Sequence, residues 1–170
     1  MCSDATTFTD VLTLAVDNYY ELYFDGVLVV NSTLSYDWHK PKKIQLPTST
    51  SVIAIAGYNK VEKFTVNPAG IIASDSKGQI WTNSSWRCSN VSVEGWMGVG
   101  FNDSDWPYAA ELAFNGGEVW TYIPGISTNA KWIWTSKFDA TTGSPLDVSI
   151  YCRLCIGTFD YNYILKRLSL

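Results

Sequence analysis

Asp17, Glu21, Asp25, Asp103, Asp105 and Glu111 are the carboxylates with the best prospects for chemistry. Two of them at the right separation would serve glycoside hydrolysis. Nothing in their spacing along the chain brings two to that distance. Nucleophilic hydrolysis needs a base beside a Ser or Cys, usually a His. The single His, His39 in YDWHKPKK, stands next to lysines, as a surface or edge-strand residue would. No nucleophile elbow, phosphate-cradling loop or dinucleotide fingerprint occurs. The sequence therefore reads as non-enzymatic.

The same oxygens suit a hard cation. Calcium takes several carboxylate and carbonyl ligands, and FNDSDW offers Asn102, Asp103 and Asp105. Asp103 and Asp105 are the candidate ligands of a structural Ca2+. The plainer reading is that they cap a turn through nearby backbone amides. Cys152 and Cys155 form a C-x-x-C, but VSIYCRLCIG reads as a strand, not as the helix start that a redox pair needs. Zinc would need a second ligand pair, which the chain lacks. Strand residues three apart point to opposite faces, so the two thiols have different partners. Four cysteines allow three pairings. Cys88 with Cys152 and Cys2 with Cys155 is the favoured one.

Aromatic rings are the largest signal, with eight Trp and ten Tyr in 170 residues. Ring faces stack on sugars while polar neighbours hydrogen-bond the hydroxyls, and ligand sites combine apolar walls with a few placed polar groups. Many of these rings belong to a core. Trp132 and Trp134 share one face of KWIWT and are expected between the sheets, and Trp86 is expected near a disulfide. The candidates for ligand contact lie on loops or on the polar face of a strand. They are Tyr19, Glu21, Tyr23, Trp38, Tyr58, Trp96, Trp120 and Tyr122. The same composition suits an apolar ligand, a carotenoid or other pigment, in a groove with polar ends. A third reading is a structural or adhesive matrix protein.

The elements that must hold these residues are strands. YYELYF (19–24) alternates, with Tyr20, Leu22 and Phe24 on one face and Tyr19, Glu21 and Tyr23 on the other. Asp25-Gly26 follows as a two-residue hairpin turn, since both turn positions need positive φ. TSVIAIAGYN is apolar on both faces and reads as a fully buried strand. Further strands are expected at 11–17, 36–46, 69–76, 78–83 and in WRCS, WPYAAELAF, EVWTYI, AKWIWTS and VSIYCRLCIG, with a short helical turn around 106–113. Many short strands between Gly, Asn, Asp and Pro clusters make one all-β domain, an antiparallel sandwich or jelly roll. The tail 159–170, with Ile164, Leu165 and Leu168, is expected as an edge strand or a subunit contact.

Composition narrows the partners. Charged residues are 16% and net charge is −4, against about 25% charged in ordinary soluble chains. The absence of a basic stripe excludes nucleic acid as the main partner. No run reaches the roughly 18 apolar residues of a membrane span. The start, MCSDATTFTD, lacks the basic and apolar regions of a signal peptide. Sequons at Asn31, Asn83, Asn90 and Asn102, with the cysteines, nevertheless point outside the cell. A mature chain whose leader has been removed, with Met1 an addition, reconciles the two.

Several segments, in order, resemble a known family. They are VDNYYELYFDGVLV, VIAIAGYN, PAGIIAS, WTNSSWRCS, GWMGVGFNDSDWPYA, NAKWIWTS and IYCR. Over residues 10–156 the chain resembles the galactose-binding-domain-like jelly-roll modules of invertebrate secreted proteins and lectins. The most recognisable piece, Phe101 to Ala109, marks the fold more than a ligand. The resemblance implies a secreted, glycan-binding module, often with a structural calcium ion and no catalysis of its own. Function does not follow from fold alone.

Overall fold

The computed structural model describes residues 10–32, 37–60, 67–117, 119–139 and 144–156. Among them are ten strands and no helix. The strands are β1 (Asp10–Asp17), β2 (Tyr19–Phe24), β3 (Val27–Asn31), β4 (Lys42–Leu46), β5 (Val52–Tyr58), β6 (Gly70–Asp75), β7 (Arg87–Ser89), β8 (Ala110–Phe114), β9 (Lys131–Trp134) and β10 (Ser149–Cys155). They build two five-stranded antiparallel sheets, in the orders β4-β1-β6-β9-β8 and β3-β2-β5-β10-β7. We call these the first and second sheets. Cys2 and the tail 159–170 lie outside the described residues.

Alternation sets what each sheet buries. Leu12, Leu14 and Val16 of β1, Ile71 and Ala73 of β6, Tyr20, Leu22 and Phe24 of β2, and Ile53 and Ile55 of β5 form the central core. The expected turn is present: Asp25 and Gly26 both have positive φ, 50° and 88°. Asp25 Oδ1 then accepts the N–H groups of Ser51 and Val52, at 2.9 and 2.8 Å, tying the turn to the start of β5. Cys88 and Cys152 face each other directly across β7 and β10 and are bridged. Cys2, the partner expected for Cys155, lies outside the described residues. Cys155 is an exposed free thiol, because its place in β10 turns it to the face opposite the buried Cys152.

Each sheet is also covered on its outer face, and a long loop does the covering. Residues 90–107 fold over the second sheet, setting Trp96 and Trp106 against Val52, Ala54 and Ala56. That is why β5 is apolar on both faces. Residues 115–130 fold over the first sheet, where Trp120, Ile123 and Ile126 pack with Ala15, Ile72, Ala113 and Trp132. Trp132 stacks on Trp120, with ring centroids 4.5 Å apart. Gly70 lies beneath them, and a Cβ there would come within 2.7 Å of Trp132.

Four expectations change, the first being the strand expected at 78–83, which is reduced to a single bridge between Ser74 and Trp81. Trp132 belongs to this outer cluster and only Trp134 to the central core, so the two do not share the space between the sheets. The strand expected in EVWTYI is irregular over 119–123, where the chain bends back onto the sheet. The helical turn expected around 106–113 gives way to β8, which pairs with β9.

Candidate functional site

The site grows from the outward positions of β2. Register places Asn31, Glu21, Ala56, Tyr151 and Ser89 in one row across the second sheet. Tyr23, Ala54, Arg153 and Arg87 form the next row on one side, and Tyr19, Tyr58 and Ser149 the row on the other. Glu21 is the hub. Its Oε2 accepts the Tyr23 phenol at 2.7 Å and its Oε1 accepts Asn31 Nδ2 at 3.2 Å. Tyr58 lies on the same outward face, in the next row, and feels the charge of Glu21. A carboxylate offers about four acceptor positions, so these two donors leave room for ligand hydroxyls.

The phenols act as donors. Burial, then the bond and charge of Glu21, push Tyr23 up to about 12. Burial, then the charges of Glu21 and Tyr151, do the same to Tyr58, also to about 12. Neither is a base at neutral pH. The single His is elsewhere, stacked on Trp38 and within 3.2 Å of Asp37. The arrangement offers fixed acceptors and donors beside aromatic walls, which suits holding a hydroxylated ligand.

Of the residues expected to contact ligand, Tyr19, Glu21, Tyr23, Tyr58 and Trp96 come together here. Trp96 is a buried wall, not an exposed platform. It packs between Tyr23 and Tyr151, with centroids at 5.8 and 5.3 Å. The other three do not join the site. Trp38 packs edge-on against Trp132 on the first sheet. Trp120 is buried there too, and its Nε1 donates to Asp17 Oδ2 at 3.2 Å. Tyr122 is exposed above the same sheet.

The sequence reading missed Tyr151 as a site residue, although β10 alternates around the core Cys152. It also missed Tyr108, an exposed ring with the Arg87 guanidinium 3.6 Å from its centroid.

Asp103 has another partner than a cation. The buried Arg153 donates Nη1 to Asp103 Oδ2 at 2.9 Å, and a guanidinium there competes with any metal. Asp105 is exposed in the neighbouring turn. No group of three or more His, Cys, Asp or Glu converges among the described residues. Asn31, Asn90 and Asn102 are exposed and Asn83 is half-buried, all on turns or at a strand end. Among the described residues no helix is long and apolar enough to cross a membrane.

No family model matches the chain, and no curated protein and no solved structure matches it.

Proposed function

We propose that the protein is a non-catalytic, secreted jelly-roll module of the galactose-binding-like kind that binds carbohydrate on the outer face of its second sheet. The observation that carries this reading is the Glu21 carboxylate, fixed between Tyr23 and Asn31 where a plain solvated strand would carry Thr, Lys or Ser. Sugar hydroxyls are donors that such a carboxylate accepts, and charge-assisted bonds of this kind are the strong ones. Tyr19, Tyr58 and Tyr151 stand on the same outward face in the neighbouring register positions. The Cys88–Cys152 bridge fits an oxidising compartment, and strands that switch repeatedly between two sheets fit a jelly roll.

A glycan array followed by calorimetric titration with neutral sugars tests the reading. Glu21→Gln keeps the shape and removes the charged acceptor. The expected loss is about tenfold in affinity, or ~1.4 kcal/mol. An array without hits sinks the proposal, as does a Glu21→Gln protein that binds like the parent. Visible absorbance in protein purified from its natural source would favour a pigment carrier instead.

A further inference from the structure

Each sheet ends in two edge strands, and three of these four edges carry guards against further pairing. β4 follows Pro41 and shows Lys42, Lys43 and Gln45 to solvent. β7 is three residues long, and the chain at 107–109 already bonds along it. Cys88 N–H donates to Pro107 O and Ala109 N–H to Trp86 O, both at 2.9 Å. β8 is interrupted between Glu111 and Ala113 and carries the exposed Glu111 carboxylate. Short edges, charge, proline, bulges and covering segments are the devices by which sheets avoid pairing with other chains.

β3 is the exception. It leaves the Asp25-Gly26 turn as VLVVN, and no charged residue occurs from 26 to 36. Val27, Leu28 and Val29 are 67%, 49% and 41% exposed. Its inner edge bonds β2, with one irregularity opposite Leu22 and Tyr23. Its outer edge has no strand partner among the described residues. The apolar surface continues onto the loop beside the turn, where a Cβ at Gly26 would stand 3.5 Å from Gly98 Cα and Val99 is exposed. An apolar edge left open in this way is a template for another strand.

Charge decides what can occupy it. Across a two-fold axis a strand meets its own sequence run backwards, so residue i of one copy faces residue j of the other and the converse. Like charges facing each other across a strand pair are destabilising. On β4 this symmetry would bring Lys42 and Lys43 of two copies together. On β3 it sets Val and Leu against Val and Leu, and the one polar side chain, Asn31, is neutral. With a net charge of −4 on each chain, an uncharged edge is where two copies meet with least repulsion.

We propose that β3 pairs antiparallel with β3 of a second copy across a two-fold axis normal to the sheet, joining the two second sheets into one of ten strands. Such an axis keeps both outward faces on the same side. The two Glu21 carboxylates then lie on one surface, three strand spacings or about 14 Å apart across the strands. If that carboxylate holds sugar as proposed above, the dimer binds two glycans side by side and gains avidity without a new contact. This consequence rests on the Glu21 reading. The pairing itself does not, and its test involves no sugar.

Sedimentation of the full chain from low micromolar to near-millimolar concentration should show reversible exchange between monomer and dimer. Leu28→Lys and Val29→Lys should each raise the dimer dissociation constant at least about tenfold, since each sets like charges near one another across the axis. Val91→Lys, at an exposed apolar side chain beyond the far edge of the same sheet, should leave it unchanged. Amides within 27–31 should gain protection from hydrogen exchange as concentration rises. All three substituted side chains are exposed, and unfolding midpoints taken where the parent is monomeric verify that the variants are folded. The exposed Cys155 thiol is a different route to a dimer, and Cys155→Ser should leave the association intact. The proposal is overturned if the chain stays monomeric throughout, if Cys155→Ser abolishes the dimer, or if the β3 variants associate as tightly as the parent or as Val91→Lys.

Discussion

The loops 90–107 and 115–130 do the same work on opposite sheets by different physics. Each lays tryptophan on a platform of small residues, Ala54 and Ala56 in one case, Ala15, Gly70 and Ala113 in the other. The first loop is held by a charge. Arg153 projects outward from β10, has no solvent exposure, and donates to Phe101 O, Gly98 O and Asp103 Oδ2, all at 2.9 Å. The second is held by a neutral amide. Asn115 Nδ2 donates to Ile123 O and Ile126 O at 3.0 and 2.9 Å, and its Oδ1 accepts the Ile123 N–H at 2.7 Å. A buried charge is costly unless every partner is in place, whereas a buried amide asks less of its surroundings. The comparison teaches that the loop beside the Glu21 site depends more heavily on one residue.

Arg153→Ala should therefore be the most damaging substitution in either loop. Removing one partner of a buried ion pair costs about 3–5 kcal/mol, and the change also strands two carbonyls. Denaturant unfolding gives the loss. Hydrogen exchange should show residues 90–107 opening while 115–130 stays protected, and the Trp96 and Trp106 emission should shift to the red. Equal exchange in both loops would end the claim that each has its own clamp. Asn115→Ala comes second. Orphaning these buried backbone groups costs about 1–3 kcal/mol, and the exchange pattern should reverse, with 115–130 opening and 90–107 unaffected.

Strand faces were legible in the sequence, and loop coverage was not. The alternation of YYELYF placed Tyr20, Leu22 and Phe24 in the core and Glu21 outside, and the structure agrees. Asp25-Gly26 was readable because two consecutive positive φ angles demand such residues. Cys88 and Cys152 were readable as partners and are bridged, whereas Cys155 stands as a free thiol whose expected partner, Cys2, lies outside the described residues. Periodicity says which side of a strand a residue takes. It does not say whether a distant loop returns to cover that side. Trp96 and Trp120 were for this reason expected in contact with ligand, and both are buried. Arg153 was overlooked for the same reason, since an outward arginine on a strand ordinarily points into water. Asp103, read with Asn102 and Asp105 as a turn cap or cation ligand, is Arg153's counterion. Five of the expected contact residues still converged, because Tyr19, Glu21, Tyr23 and Tyr58 depend only on strand alternation and pairing register, with Trp96 brought in by its loop.

The smallest expected effect is a pH dependence that belongs to the second sheet. Burial, reinforced by Glu21, raises Tyr23 and Tyr58 to about 12 from the ordinary 10.0. Burial alone raises the core Tyr20 as far. A phenol whose folded pKa lies above its unfolded value keeps its proton in the native state after the unfolded chain has released it. The native state then binds more protons across the interval, and stability falls as pH rises through it. The contribution is intact below pH 10 and is lost by about pH 12. Urea midpoints measured across this window should decline, and Tyr23→Phe or Tyr58→Phe should each flatten the decline slightly, since both rings are only half-buried. Absorbance titration of the phenolates is the direct check: if substituting these two tyrosines removes only groups that ionise near 10, the Glu21 network is not holding their protons. The clamp on the first sheet has no part in this, because the amide of Asn115 does not titrate. Loop 115–130 should therefore still be closed at an alkaline pH where the Glu21 face has begun to come apart.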